Sequence, residues 1–332
     1  MMQRGTGKSG VCGKHVKGLL VSAAALIATL LPGCCSATSG GTESALLPPG
    51  ATGPGEIRAF TGAGGRRLRY RVVHAAAPVR HLVYFHGIES HGTWFLPAAE
   101  GLAAAGCTTY LLDRRGSGLN RGVAPGDTPS AGILLEDVRL FRDHLAENRF
   151  HLVGLSWGGK LATAVALDDP VGVRSLVLIT PGLAAKVDLP VLSKIELLCG
   201  LAVLGRNRIS IPIEPEMFTE TPRYLDFIRS DSWRLHEVTG RFLFSSLALD
   251  RRIRRGISGL HPRALLVLAE RDRIIDNGGV VSLLSGAPEG QVQIHRYAEA
   301  IHSVQFDQCE ALVARMRSFY EKVEQRHEDY PD

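Results

Sequence analysis

Cysteine is scarce in this chain, six among 332 residues, and Cys107, Cys199 and Cys309 stand far apart with no CxxC pair. That spacing excludes a zinc ribbon and a dense disulfide framework. One bridge is the most these three can form, and the odd one is expected as a buried thiol. No HExxH segment and no cluster of His and Asp appears, so metal-dependent chemistry has no ligand set, and neither a metal nor a cofactor is expected. Long hydrophobic runs are also missing. The one apolar stretch free of charge is Gly18 to Leu31, about 14 residues, against the roughly 20 a spanning helix needs, which excludes a polytopic membrane protein. No internal repeat is visible. What is present is a chain 45% apolar and 21% charged, enough to bury the core of one medium domain or two small ones and too apolar to be disordered.

Acidic residues are outnumbered, 33 against 38 basic ones, for a formal net charge of +5. Such a balance invites a nucleic-acid or anionic-surface partner, but its origin is local. Arg4, Lys8, Lys14 and Lys17 precede the Gly18–Leu31 run, which is followed by Pro32-Gly33-Cys34. A basic stretch, a short apolar run and then small residues are the layout of an export signal, so residues 1–33 are expected to be a signal peptide, with an uncleaved single anchor as the alternative. Leu31-Pro32-Gly33-Cys34 also resembles a bacterial lipobox, although Pro32 stands where a small residue is usual. The resemblance implies a lipid on Cys34 and attachment to a membrane surface of a bacterial envelope; without the lipid, the protein is expected to be periplasmic or secreted. Losing residues 1–33 removes four basic residues and no acidic one, so +5 becomes +1. No nucleic-acid partner is expected.

Residues 34–60 are rich in Ser, Gly, Thr and Pro, most densely over Ser36 to Gly55, and read as a tether. The main domain is expected over 61–332. From Leu68 onward, short β-branched runs alternate with segments of helical period, the pattern of a mostly parallel sheet with helices on both faces. The strand candidates are Leu68–Val73, His81–Phe85, Thr108–Leu112, His151–Leu155, Ser175–Ile179, Ala264–Leu268 and Gln291–Arg296. Helices are expected over Thr93–Ala105, Ile133–Glu147, Gly158–Leu167, Asp276–Leu284 and Asp307–Gln325. The alternation breaks over about 182–256, which reads as an inserted helical cap with helical pieces at Val191–Leu204 and near Ser232–Leu247.

The strongest local signal is Gly154-Leu155-Ser156-Trp157-Gly158, a G-x-S-x-G between an apolar strand and a helical segment. A sharp strand-to-helix turn strains the serine backbone and needs glycine on either side, and it sets the hydroxyl at a helix N-terminus that favours negative charge. Ser156 is therefore the expected nucleophile. A serine needs a base, and the base an orienting acid. His302 lies in the loop between the last strand candidate and the final helix, at the carboxyl edge of the sheet that also carries the Ser156 turn. Of the carboxylates after the strand Ala264–Leu268, Asp272 is expected to orient His302, with Asp276 as an alternative that instead caps the next helix; Glu270 is expected to pair with Arg271 or Arg273. The oxyanion donors are expected to be the backbone N–H groups of Trp157 and Ile88, the latter in His86-Gly87-Ile88-Glu89-Ser90-His91, where His86 holds the loop by a hydrogen bond.

The chain order Ser156, Asp272, His302 resembles the α/β-hydrolase superfamily, over a span from about Leu68 to the last helix. The segments His86–His91 and Asp113-Arg-Arg-Gly116-Ser-Gly118-Leu-Asn120 resemble loops of the lysophospholipase and monoacylglycerol lipase group, with Asn120 where those enzymes often carry Ser; Ile211–Phe218 and Phe227–Asp231 are similar to the same group. The resemblance implies a serine hydrolase cleaving carboxylic esters, with a small-molecule acyl ester, lipid-like in character, as substrate. A peptidase or amidase on the same residues, and a non-catalytic binding module of the same fold, are the alternatives. Epoxide and haloalkane hydrolases of this fold usually carry Asp at the nucleophile position, so Ser156 disfavours them.

Overall fold

The computed structural model describes residues 46–122, 124–145, 147, 149–187 and 205–329. The expected signal 1–33, Cys34, Cys199 and the helical piece at Val191–Leu204 lie outside them. In chain order the strands are β1 (Glu56–Thr61), β2 (Arg67–Val73), β3 (Arg80–Phe85), β4 (Cys107–Leu112), β5 (Phe150–Leu155), β6 (Val173–Ile179), β7 (Arg208–Ser210), β8 (Glu237–Thr239), β9 (Arg263–Ala269) and β10 (Val292–Tyr297). The helices are α1 (Leu96–Ala104), α2 (Ala131–Leu145), α3 (Trp157–Asp168), α4 (Pro222–Ser230), α5 (Gly240–Gly256), α6 (Asn277–Leu284), α7 (Val304–Asp307) and α8 (Cys309–Asp329).

Eight strands form one sheet in the order β1-β2-β4-β3-β5-β6-β9-β10. Pairing is antiparallel at β1/β2 and β2/β4 and parallel from β4 through β10, so the mostly parallel sheet with helices on both faces is as expected. The period-two alternation of buried strands sorts their side chains onto two cores. Leu152, Leu176, Leu178, Leu266 and Leu268 face α2, α3 and α6 through Phe141, Leu161 and Val280. Val153, Val177, Ile179, Leu265 and Val267 face α1 and α8 through Leu102, Leu312 and Met316.

Three expectations are corrected. The ordered body begins before residue 61. Leu47 and Ala51 of the expected tether pack on the α1/α8 core, Thr52 N donates to the Glu100 carboxylate at 2.9 Å, and 56–61 form β1, whose buried Phe60 lies 4.9 Å from the ring of Phe141. One polar face is enough for an edge strand, so its charged alternation hid it. The helix expected near 232–247 starts at Gly240, because Thr239 caps it by accepting from Phe242 N. The final helix is as expected within its ends, running as α8 from Cys309, with the short turn α7 before it. Glu270 pairs with Arg296 at 2.7 Å, while Arg271 and Arg273 both reach Glu220. Cys107 and Cys309 are free thiols, the former buried.

Between β6 and β9 the described part of the insertion holds the β7/β8 ribbon, α4 and α5. It is fastened to the sheet side by α5, where Ser246 accepts from Trp157 Nε1 at 3.1 Å and buried Lys160 pairs with Asp250 at 2.8 Å. Asp231, just after α4, binds the loop that follows β3.

Candidate active site

Ser156 is the N-cap of α3, with φ 52° and ψ −124°. Among the described residues, one other non-glycine residue, Thr180, has positive φ. A side chain in this region costs on the order of 1–3 kcal/mol, which the surroundings must impose. They do so by close packing: a Cβ on Gly154 would stand 2.5 Å from Gly159 Cα, and one on Gly158 would collide with the Phe85 carbonyl. Backbone bonds lock the turn, Ser156 N donating to Ile179 O at 3.0 Å and Ser156 O accepting from Gly159 and Gly182.

His302 follows β10 and Asp272 follows β9, adjacent strands whose carboxyl ends share one edge. The two side chains meet: His302 Nδ1 is 2.9 Å from Asp272 Oδ2, and both are fully buried. The other carboxylate oxygen accepts from Ile274 N at 2.8 Å and Ile275 N at 2.9 Å. Burial opposes the charge on Asp272, yet His302 and the two backbone donors outweigh it and hold the carboxyl below its ordinary value. An ionised Asp272 accepts from His302, which puts the proton on Nδ1 and leaves Nε2 as a buried acceptor with no hydrogen-bond partner among the described residues. Asp276 takes the other role weighed for it, capping α6 through Gly278 N at 3.1 Å.

The two expected oxyanion donors border the serine. Trp157 N is the first amide of α3. The Gly87–Ile88 loop runs beside Ser156, close enough that a Cβ on Gly87 would lie 3.4 Å from Ser156 Cβ and 3.7 Å from Oγ. His86 holds this loop as expected: its Nε2 accepts from Arg114 N at 3.2 Å and its Nδ1 donates to Gly87 O at 2.8 Å. Burial, then the neighbouring Arg114 charge, keeps the His86 imidazole neutral by pushing its pKa well down. Asn120 uses its whole amide, bridging Asp113 O at 2.6 Å and both backbone groups of Arg69 at 2.8 Å, which accounts for its standing where a smaller hydroxyl is usual.

Several residues at the site escape sequence reasoning. Thr180, strained at φ 40°, donates from Oγ1 to His302 O at 3.0 Å and pins the histidine loop. Phe218 of the insertion packs edge-on to the His302 ring at 5.7 Å and accepts from Ser303 N. Asp113 joins two loops, accepting from Gly92 N at 2.6 Å and Leu119 N at 2.8 Å. Arg114 reaches the carbonyls of both Gly87 and Ile88. Among these, the Asp113-Arg114 loop and Phe218 lay in segments that carried a resemblance, and Thr180 carried no sequence signal.

Residues 76–309 match the model of the Hydrolase_4 family, described as serine aminopeptidase, S33. The chain belongs to that family. Its fold is that of the α/β-hydrolase superfamily. A soluble variant of monoglyceride lipase from Saccharomyces cerevisiae superposes with a TM-score of 0.73 at 15% identity, over 84% of this chain and 99% of that one. The monoacylglycerol lipase of Paleococcus ferrophilus gives 0.71 at 19% identity, over 77% and 99%. In sequence, a monoacylglycerol lipase of Mycolicibacterium smegmatis is 25% identical over 74% of this chain and 89% of its own length. A proline iminopeptidase of Lactobacillus crispatus is 30% identical, over 34% of this chain and 40% of its own length. The chain thus spans about two fifths of the iminopeptidases it matches. The family match thus runs over residues 76–309, whereas the iminopeptidase matches are confined to about a third of the chain.

Proposed function

We propose that the chain is a serine hydrolase of carboxylic esters, lipid-like in character and of lysophospholipase or monoacylglycerol lipase type, acting through an acyl-enzyme. One observation carries the reading: a strained serine at a helix N-terminus on the same sheet edge as a buried His302–Asp272 pair whose outer nitrogen is unpartnered. In this reading His302 Nε2 takes the proton of Ser156 Oγ as the oxygen attacks the ester carbonyl. Asp272 stabilises the imidazolium without taking its proton. The N–H groups of Ile88 and Trp157 stabilise the tetrahedral oxyanion. His302 then protonates the departing alcohol, and water attacks the acyl-enzyme by the same route.

The choice of a lipid-like ester rests on the long match to the M. smegmatis monoacylglycerol lipase and on the apolar character of the insertion, whose Phe218 packs against the His302 ring. The insertion acts as a cap over the acyl chain. An aminopeptidase reading is favoured by the description of the matching family model, serine aminopeptidase, and by the iminopeptidase matches, which are confined to a third of the chain. Side-by-side turnover of acyl glycerols and of aminoacyl amides separates the two. Faster cleavage of monoacylglycerol, abolished by Ser156→Ala, supports the ester reading; preference for the amides overturns it. Export through residues 1–33 and lipidation of Cys34 belong to the same reading and place the enzyme at a lipid surface. Mass spectrometry of the mature N-terminus tests this, an unmodified terminus other than Cys34 being the contrary outcome.

A further inference from the structure

Arg114 and Arg115 are sequence neighbours with different surroundings. Arg115 is neutralised by Asp137, with Nη2 to Oδ1 at 2.7 Å and Nε to Oδ2 at 2.5 Å. Arg114 is equally buried, yet among the described residues it forms no salt bridge. Its neighbour Asp113 is occupied by Gly92 N and Leu119 N. Instead Nη1 donates to Gly87 O at 3.0 Å and Nη2 to Ile88 O at 2.5 Å. The guanidinium also lies 5.0 Å from the ring of Trp157 and 4.9 Å from that of Phe242 on α5. Burial pushes it down to about 9, with Asp113 acting the other way, so it is charged at neutral pH. A buried cation with no ion-pair partner is costly, and this one touches both segments that supply the oxyanion donors.

We propose that Arg114 is a positioning residue for the oxyanion site, aiming the Ile88 N–H and bracing Trp157. This rests on the reading of Ser156 as nucleophile given above. In a trans peptide the C=O and N–H point in opposite directions. Holding the Gly87 carbonyl with Arg114 and His86 therefore turns the Ile88 N–H to the opposite side of the loop. A hydrogen bond from a cation to that carbonyl also polarises the peptide and strengthens its N–H as a donor. Contact with the Trp157 ring fixes the residue whose backbone supplies the second donor. Arg114 itself touches no reacting atom.

The test compares wild type with Arg114→Met, Arg114→Lys and Arg114→Gln. It measures steady-state hydrolysis of a soluble p-nitrophenyl ester, inhibition by a trifluoromethyl ketone, whose tetrahedral adduct carries the oxyanion, and thermal melting. Arg114→Met is expected to lower kcat by about 100-fold, the scale of losing one oxyanion donor, with KM within about threefold. The ketone inhibition constant should rise by the same factor, and Arg114→Lys should recover part of both. A purely structural arginine lowers the melting temperature without moving kcat and ketone affinity together. The proposal is overturned if folded Arg114→Met keeps kcat within about threefold of wild type, if kcat falls while ketone affinity does not, or if all three variants fail to fold. Ser156→Ala in the same assay separates the two claims. If it retains turnover, the nucleophile reading fails. If it is inactive while Arg114→Met is unimpaired, the role of Arg114 alone fails.

Discussion

Two buried histidine–aspartate pairs flank the same region, and they differ at a single nitrogen. His91 Nε2 donates to Asp231 Oδ2 at 2.9 Å, and His302 Nδ1 donates to Asp272 Oδ2 at 2.9 Å. All four side chains are within 1% of complete burial. Each carboxylate also collects further N–H donors, Trp94 Nε1 at 2.7 Å and Trp233 N at 3.0 Å in the first case, Ile274 and Ile275 in the second. In both, burial is outweighed by the imidazole and the other donors, and the acid is held below its ordinary pKa. The second ring nitrogen separates them. In His91 it accepts from Thr93 Oγ1 at 2.8 Å, so every polar atom of the ring is satisfied. In His302 it has no hydrogen-bond partner among the described residues. The first pair is a clasp between the loop after β3 and the insertion, 140 residues apart in sequence. The second keeps an acceptor in reserve, and a buried acceptor without a partner is costly unless it has chemistry to do.

If this contrast is correct, His302→Ala should have the largest effect, lowering kcat of the folded protein by about 10⁴-fold or more and also lowering the melting temperature, because Asp272 is left buried without its partner, as measured by ester hydrolysis and calorimetry. Asp272→Asn should preserve the fold and lower kcat by about 10⁴-fold, because the amide reverses which histidine nitrogen carries the proton. Asp231→Asn should behave oppositely. Loss of that carboxylate should cost about 3 kcal/mol in urea unfolding, while kcat of the folded fraction stays within about tenfold. A loss of turnover from Asp231→Asn as large as that from Asp272→Asn removes the distinction. The smallest effect concerns pH. Glu89, buried and paired with Arg234 at 2.6 Å, is raised by burial from 4.5 to about 7 despite that arginine. Because the folded state binds this proton more tightly, the contribution is fully present below 4.5 and is lost as pH rises through about 7. Glu89→Gln should flatten that part of the stability–pH curve, read by denaturant midpoints between pH 4.5 and 8.

Sequence reasoning reached the sheet, and it singled out Ser156, Asp272 and His302 as candidates, because each rests on a local signal. Parallel strands buried on both faces read as continuous apolar runs, and the Ser156 turn needs glycines at set places. His302 and Asp272 follow from their positions just past strand ends. What escaped depends on distant partners or on one-sided burial. β1 shows charge at Glu56 and Arg58 because only Phe60 goes inward. The role of Asp231 needs His91 and Trp94, far off in sequence. Arg114 and Arg115 are identical letters whose fates are set by Asp137 on one side and two carbonyls on the other. Thr180 owes its strain to His302 O and Val267 O on other elements.

The most direct measurement is reaction of the folded protein with a fluorophosphonate, followed by peptide mass spectrometry. One adduct is expected, on Ser156, absent in Ser156→Ala and formed far more slowly in His302→Ala, while His91→Ala that remains folded still labels. No adduct, or an adduct on another residue while ester hydrolysis continues, means that the strained serine and the histidine with the open nitrogen are not the reacting pair.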